Sequence, residues 1–545
     1  MTSVPATRVL LFSPPLRERT YPGRPPIYYL SSALRRAGHS VQTIDVDIAG
    51  VRAFIRLVKT FQPDVIAGTS LSIQINDALK LFRIAKFYRP SAITILGGNH
   101  ATAAGKYLYP LHRDKLDAVI TGEGLTAIVA AADIVGRNRW ASQRADIPGS
   151  LFFDGTSIVH GRPSAAELPD CYDPDLPYDP SYDFEIFKAP NGRKLRTFQM
   201  MTAFGCQNAC FFCFSGTNKR GEVQRVERRM SIASVERTLQ RAVGLGYEAI
   251  YFDDDTFTRV PEHATDVARL CKKYNLAFGC HTRPDCEDED IITELVKDGC
   301  VYMFSGLESA IPEILLGANK THDPVAYREA YRRSYRVKNE MGIQVCAFLI
   351  HGLPRRSNCS DDSDREHAFT WAPDTLDDSA ASIEFAVREL DPTYVSMNVL
   401  RFIPGVPFAE GPLFDFLRPI RGPLHGGYFD QEWVRAYAAE DPRCFHPVLR
   451  AFEGAGSPIP KHMTPQRCYD ILERAVAIVN AKNGEAGKNQ TRIVVDPWFG
   501  SRFLRETWNG GVLRYELAPF ALIDAEVSPQ THLSVNTNAA TPAHQ

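Results

Sequence analysis

The chain has 545 residues, 44% of them hydrophobic and 23% charged, which is enough for about two to four domains built on apolar cores. Lys and Arg total 62 against 64 Asp and Glu, a net charge of −2, which excludes a generally basic nucleic-acid binder and an acidic disordered protein. No run of about 18 apolar residues exists, so no membrane helix is expected. Met1–Leu11 lacks the charged-then-apolar layout of a signal peptide, and the expected compartment is the cytoplasm.

Strand signals at Val9–Phe12, Val41–Asp45, Val65–Ser70, Ile93–Gly97 and Ala118–Thr121 alternate with helical patterns near Ile27–Ala37, Ala53–Phe61, Asp77–Tyr88 and Leu125–Val135. That alternation predicts a parallel, doubly wound α/β sheet over residues 1–148, whose ligand crevice lies at the carboxyl ends of the strands. Those ends run into Ser13-Pro14-Pro15, Thr69-Ser70-Leu71-Ser72, Gly97-Gly98-Asn99-His100-Ala101-Thr102 and Gly122-Glu123-Gly124. Glycines and small hydroxyl residues let a large ligand approach the backbone, although any one of these loops alone is explained by turn closure.

The Gly-Gly-x-His-Ala-Thr run at Gly97–Thr102, followed by Gly122–Gly124, resembles the cobalamin-binding domain that precedes many radical S-adenosylmethionine (SAM) enzymes, over roughly residues 8–135. The resemblance implies a corrin site lined by Ser13, Thr69, Ser70, Ser72, Gly97, Gly98, His100, Thr102, Gly122, Glu123 and Gly124. The Asp-x-His-x-x-Gly motif that ligates cobalt from below in some cobalamin proteins is absent. By resemblance the cofactor sits without a His ligand, with Leu71 and Ser72 near its lower face and His100 bonding the corrin amides or its own loop.

Residues 149–194 read as a linker; the Pro-, Asp- and Tyr-rich run Asp170–Phe184 has no periodicity and is expected to cross the surface as an extended connector. Next comes Cys206-Gln-Asn-Ala-Cys210-Phe-Phe-Cys213, a C-x3-C-x2-C spacing in a chain whose 12 cysteines are otherwise scattered, with none before Cys171. Clustered cysteines in a reducing compartment point to metal rather than disulfide. Three thiolates leave the fourth corner of a [4Fe–4S] cubane open for the amino and carboxylate groups of SAM; the bland alternatives are three core cysteines or a zinc knuckle with a distant fourth ligand.

Strand signals then recur at Phe198–Phe204, Ala249–Phe252, Leu276–His281, Val301–Ser305, Gln344–Ile350 and Thr393–Leu400, with helical stretches between them. Six β/α units over 195–410 predict a partial (β/α)6 barrel with its chemistry at the carboxyl ends of the strands. This set resembles the radical SAM core. By that resemblance Cys206, Cys210 and Cys213 are the catalytic cluster ligands, and Phe212 lies by the adenine. Asp253 and Asp254 belong to an acidic variant of the motif that contacts the methionine amino group. Arg283 is placed to pair with the methionine carboxylate, with a surface salt bridge as the even alternative. Ser305 and Glu308 fall in the segment Ser305-Gly-Leu-Glu308-Ser309, which matches the ribose motif. The segment Arg401–Pro407 resembles a Pro-Gly-Thr-Pro turn with Val406 in place of Thr.

Residues 411–526 are rich in aromatic residues, Pro and Gly and are expected to cap the barrel mouth and shape the substrate pocket, with a helix at Thr464–Lys482 and a strand near Thr491–Val495; residues 527–545 are expected to be disordered. The combined resemblance implies cobalamin-dependent radical methyl transfer from SAM to an unactivated carbon of a small molecule, where no proton is acidic enough for general-base chemistry. A low-potential electron donor such as flavodoxin or ferredoxin is implied, with no nucleic-acid or membrane partner; oligomeric state is not readable. Oxidative cyclisation or rearrangement with the same cofactors, and non-radical methylation of an aromatic carbon, are the alternatives. An RNA methylthiotransferase is disfavoured because its first domain carries three further cysteines, and a non-enzymatic cobalamin carrier because the Cys triad is intact.

Overall fold

The computed structural model describes residues 5–15, 25–71, 74–163, 168–172, 180, 183–215, 227–358, 369–400, 463, 465–485, 489–495 and 504–518. The first unit runs β1 (Arg8–Ser13), α1 (Pro25–Arg36), β2 (Ser40–Asp45), α2 (Val46–Phe61), β3 (Val65–Thr69), α3 (Ile75–Tyr88), β4 (Ile93–Gly97), α4 (Asn99–His112), β5 (Ala118–Ile120), α5 (Leu125–Gly136), a short α6 (Trp140–Gln143), β6 (Ser150–Phe153) and β7 (Ile158–His160). The strand order is β2-β1-β3-β4-β5-β6-β7. β1 to β5 pair in parallel, and β6 and β7 add antiparallel. The near-continuous apolar runs of β1 and β3 are buried on both faces, as a sheet covered by helices on each side requires.

The first sheet therefore continues to His160, beyond the boundary expected at residue 148, and α4 was not visible as a helical pattern. Helix α4 opens directly from the glycine loop after β4 and carries Pro110 inside it, so its periodicity is interrupted at both ends.

The second unit runs β8 (Thr197–Met200), β9 (Ala203–Phe204), β10 (Arg228–Arg229), α7 (Ile232–Gly244), β11 (Ala249–Phe252), α8 (Pro261–Lys273), β12 (Ala277–Thr282), α9 (Glu289–Lys297), β13 (Cys300–Glu308), α10 (Pro312–Gly317), α11 (Pro324–Glu340), β14 (Gln344–His351), β15 (Arg355–Asn358), β16 (Phe369–Ala372), α12 (Leu376–Glu384), β17 (Tyr394–Val399), α13 (Pro465–Asn483), β18 (Arg492–Val495), β19 (Leu504–Asn509) and β20 (Val512–Leu517). Its main sheet is all parallel in the order β18-β17-β14-β13-β12-β11-β8. The six expected barrel strands are all present. β18 is a seventh, so the C-terminal region extends the barrel sheet as well as following it. Of the region 411–526 expected to cap the barrel mouth, residues 411–462 lie outside the described residues, as do the segment Arg401–Pro407 and the tail 527–545.

In the segment Asp170–Phe184, expected to cross the surface, the described residues Cys171, Tyr172 and Asp183 are buried. Phe187 is fully buried with Ala249, Tyr251, Tyr302 and Cys346, and Phe184 stacks on Tyr251 at 4.5 Å, closing the amino-terminal end of the barrel. Tyr172 is buried too, and its hydroxyl accepts from the Met201 amide at 3.1 Å. A run of Pro, Asp and Tyr shows no period, yet Tyr172 and Phe184 still supply apolar surface to what lies beneath. The two units meet there: Tyr28 packs on Phe198 at 5.0 Å, and Tyr29 meets Tyr172 at 5.7 Å and Phe204 at 6.0 Å. Thus α1 of the first unit lies against the first barrel strand.

Candidate active site

At the carboxyl ends of the first sheet, the loops are locked by backbone bonds. The Ser70 amide donates to Gly97 O (3.1 Å), and the His100 amide donates to Ser70 O (3.1 Å). Gly98 sits at φ +96°, ψ −176°, a conformation essentially reserved for glycine. A Cβ there would lie 2.5 Å from Thr69 Oγ1 and 2.8 Å from the Ser70 amide nitrogen. Gly97, by contrast, faces open space.

Thr102 uses its hydroxyl internally, donating to Gly98 O (3.0 Å) and accepting from the Gly122 amide (3.0 Å), so it clamps the loops after β4 and β5 together. Ser13 and His100 are buried, and burial lowers the His100 pKa to about 3, which keeps its ring neutral. The buried Ser70 hydroxyl has no hydrogen-bond partner among the described residues, while Leu71 beside it is exposed. Ser72 lies outside the described residues. Gly124 caps α5. Glu123 reaches across to the second unit, 2.7 Å from Arg228.

Sequence reasoning missed Gln74, which donates to Pro14 O (2.9 Å) and accepts from the Leu71 amide (3.1 Å), joining the ends of β1 and β3. The crevice is thus made of backbone, small hydroxyls and a neutral imidazole. An orphaned Ser70 hydroxyl, a glycine with no room for Cβ and an exposed Leu71 fit a large, amide-rimmed ligand with an apolar face, as cobalamin is.

At the carboxyl ends of the barrel strands, the Cys loop is braced from two sides. The Phe211 amide donates to Ala318 O (3.0 Å), and Asn319 Nδ2 donates to Ala209 O (2.8 Å). The Cys206 thiol accepts from Asn208 Nδ2 (3.3 Å), and the Cys213 thiol from the Ser215 amide (3.4 Å). Cys210 lies 3.8 Å from the Arg283 guanidinium. Burial pushes the Cys213 thiol up to about 12 and also raises Cys210, so both need a metal or cations to become thiolates. Among the described residues no three His, Cys, Asp or Glu side chains are set to hold one metal ion. The ligands of a cubane reach separate irons and need not converge as those of one zinc do. Three thiols with nitrogen donors and a guanidinium beside them fit a [4Fe–4S] cluster, whose sulfurs accept such hydrogen bonds. Phe212 packs with Leu353, Leu400 and Ile314 in a small apolar cluster over the same loop.

The carboxylates of β11 divide. Asp254 is buried and accepts from the Thr202 amide (2.5 Å), the Thr202 hydroxyl (2.6 Å) and the Ala203 amide (3.0 Å). It holds the strand that leads into the Cys loop, and this places its carboxylate in the wall rather than at an amino group. Asp253 is half-buried, 4.0 Å from His281 Nδ1, and desolvation with the neighbouring Asp255 and Asp254 raises it to about 7. His281 in turn meets the Tyr251 hydroxyl at 2.7 Å.

Arg283 is buried and forks onto Asp285 (2.8 and 2.7 Å), so its ion pair is not a surface one. Ser305 spends its hydroxyl on Thr282 at 2.9 Å. Glu308 stands at φ +66° where the β13–β14 register shifts, and pairs with Lys320 at 2.9 Å; its second oxygen is buried without a partner among the described residues. Lys320 had no sequence signal: it follows a six-residue helix, and only the fold brings it to the site.

The B12 binding domain family matches residues 24–132, and the radical SAM superfamily matches residues 200–363. An uncharacterized methyltransferase of Pyrococcus horikoshii is 25% identical over 69% of this chain and 75% of its own length. The anaerobic magnesium-protoporphyrin IX monomethyl ester cyclase of Cereibacter sphaeroides is 26% identical over 64% of this chain, which spans 56% of that enzyme. Among solved structures, the radical S-adenosylmethionine methyltransferase TsrM of Kitasatospora setae, with cobalamin and a [4Fe–4S] cluster bound, shares the fold at a TM-score of 0.56 and 18% identity over 74% of each chain. No described helix is long and apolar enough to cross a membrane. With a B12 domain on the first sheet and a radical SAM domain on the second, the chain belongs to the cobalamin-dependent radical SAM enzymes.

Proposed function

We propose that this enzyme moves a methyl group from SAM, by way of cobalamin, to an unactivated carbon of a small molecule. The observation that carries the reading is the pairing of two unlike strand-end sites in one chain: a neutral, backbone-lined crevice at Ser70 and Gly98, and a charged Cys loop flanked by Arg283 and Glu308. When bound, the cluster and SAM supply a carbon-centred radical, and the corrin supplies a transferable methyl group. The chain's own residues do the positioning. Cys206, Cys210 and Cys213 hold the cluster, and Phe212 packs beside the adenine. The free oxygen of Glu308 accepts a hydrogen bond from a ribose hydroxyl. Asp253 takes the methionine ammonium, and Asp254 fixes the approach of the Cys loop through Thr202 and Ala203. Thr69, Ser70, Gly97 and Gly98 let the corrin approach the backbone, while Thr102 and Gly122 hold two loops in register.

The cyclase similarity favours a second reading, radical oxidative cyclisation with the same cofactors. Electrons come from a small low-potential protein such as flavodoxin or ferredoxin. A reducing cytoplasm as the compartment is consistent with ten cysteines that form no disulfide among the described residues. The test is anaerobic reconstitution with iron, sulfide, cobalamin and SAM, followed by mass spectrometry with candidate substrates. Radical methylation yields 5′-deoxyadenosine and S-adenosylhomocysteine together. Deoxyadenosine alone supports cyclisation, and S-adenosylhomocysteine alone supports non-radical methylation.

A further inference from the structure

One buried cation at the barrel mouth has a placement that the functional reading above does not use. The Lys320 ammonium and the Glu308 carboxylate, each only 6% exposed at the side chain, stand 2.9 Å apart. Two buried charges are costly to desolvate and persist where geometry favours them. The fold makes room for the pair: a Cβ on Gly306 would lie 2.3 Å from Glu308 Oε1 and 3.2 Å from Lys320 Nζ, so a larger residue there would displace it.

The backbone around Lys320 is fixed to the Cys loop. Ala318 and Asn319 bond Phe211 and Ala209, and the Lys320 carbonyl accepts from Arg283 at 2.9 Å. Asn319 takes the left-handed conformation (φ +50°), one that Asn tolerates well, to turn the chain from the loop contact toward Lys320. The ammonium also stands 5.9 Å from the Phe212 ring centroid. The Arg283 side chain that binds the Lys320 carbonyl also lies 3.8 Å from the Cys210 thiol, so one side chain links the lysine to that ligand.

A cluster held by three thiolates is an anion, and reduction adds a further negative charge. In a site screened from water, a fixed cation stabilises the more negative form. We propose that Lys320 is a positioning residue that sets the redox poise of the cluster on Cys206, Cys210 and Cys213, its charge held beside the Cys loop by the pair with Glu308. This rests on the cluster reading of the Cys triad.

The experiment is a mediated redox titration of the full-length reconstituted protein, read by the EPR signal of the reduced cluster, with iron and sulfide content measured on the same samples. At the wild-type midpoint, K320M with full iron content shows a ratio of reduced to oxidised cluster lower by about tenfold, equivalent to about 59 mV for one electron. K320R stays near wild type. E308Q, which leaves the lysine charge unopposed, shifts the other way. K320M titrating with wild type overturns the proposal. Should K320M fail to assemble iron, the E308Q arm decides, and an unchanged or lowered reduced fraction there overturns it equally. Wild-type protein that assembles no iron sinks the cluster reading itself, and this proposal with it.

Discussion

The two parallel sheets of this enzyme solve the same problem by opposite means. Both place their site at the carboxyl ends of the strands. The first builds it from backbone amides, Gly98, Ser70 and a histidine held neutral; the second builds it from Glu308 with Lys320, Arg283 with Asp285, and a buried Asp254. A large ligand with many dispersed polar groups is held by shape and close approach, so a buried charge would cost more than it returns. A small zwitterionic ligand beside an anionic cluster is held by charge, and the protein answers with paired ions. The contrast implies that the first site breaks through sterics and the second through loss of single charged or ligating atoms.

The largest effect is expected at the ligands. Replacing Cys206, Cys210 and Cys213 together with Ala removes cluster iron and abolishes deoxyadenosine formation, while cobalamin binding, read by its visible spectrum, persists because that site shares none of these atoms. Retained cluster in the triple variant would end the assignment. The mirror experiment is Gly98→Val. Its side chain meets the Ser70 backbone, which cannot yield as a flexible side chain would, and its φ of +96° costs about 1–3 kcal/mol for a residue with Cβ. Cobalamin affinity should fall at least about tenfold, a loss of about 1.4 kcal/mol or more, with iron content unchanged. A variant that binds cobalamin normally would remove the glycine loop from the site.

Next in size is an effect of pH on the first unit. The His100 pKa is lowered by burial from 6.5 to about 3. The unfolded chain therefore takes up a proton below pH 6.5 that the folded chain refuses until near pH 3. Stability from this group is full above pH 6.5 and declines through that window as pH falls, by up to about 1.4 kcal/mol per unit. Thermal melting of cofactor-free protein between pH 7 and 5 should show a decline that His100→Gln reduces; equal slopes in the two proteins would refute it.

Much of this was legible in sequence, and unevenly so. The parallel strands of both sheets follow from β-branched runs, whereas the antiparallel β6 and β7 were not anticipated, and the Cys spacing has few other meanings. The hydroxyl of Thr102 and the carboxylate of Asp254 were visible as polar groups at strand ends, but not that each is spent inside the protein, on Gly122 and on Thr202 with Ala203. Which side of a strand end a carboxylate faces depends on its pleat, and Asp253 and Asp254 differ by one residue in register. Lys320, Gln74 and Tyr172 left no trace. Each is an ordinary residue type in a segment without periodicity, brought to its place by long-range packing alone.

The smallest effect tests the seam between the two units, and there sequence and structure give different meanings to one residue. Glu123 was expected to line the corrin site, and the structure pairs it with Arg228 at 2.7 Å, the side chains 30% and 15% exposed. A partly screened ion pair of this kind contributes about 1 kcal/mol or less. If its main role is to tie the units, Glu123→Gln lowers the melting temperature by a degree or two, Arg228→Met does the same, and the double variant loses no more than either alone, since the two act through one interaction. Cobalamin affinity then changes less than about twofold in all three. If Glu123 instead contacts the cofactor, Glu123→Gln weakens cobalamin binding and Arg228→Met does not. Equilibrium binding of cobalamin to the three variants separates the two roles, because only a direct contact makes the glutamate and the arginine behave differently.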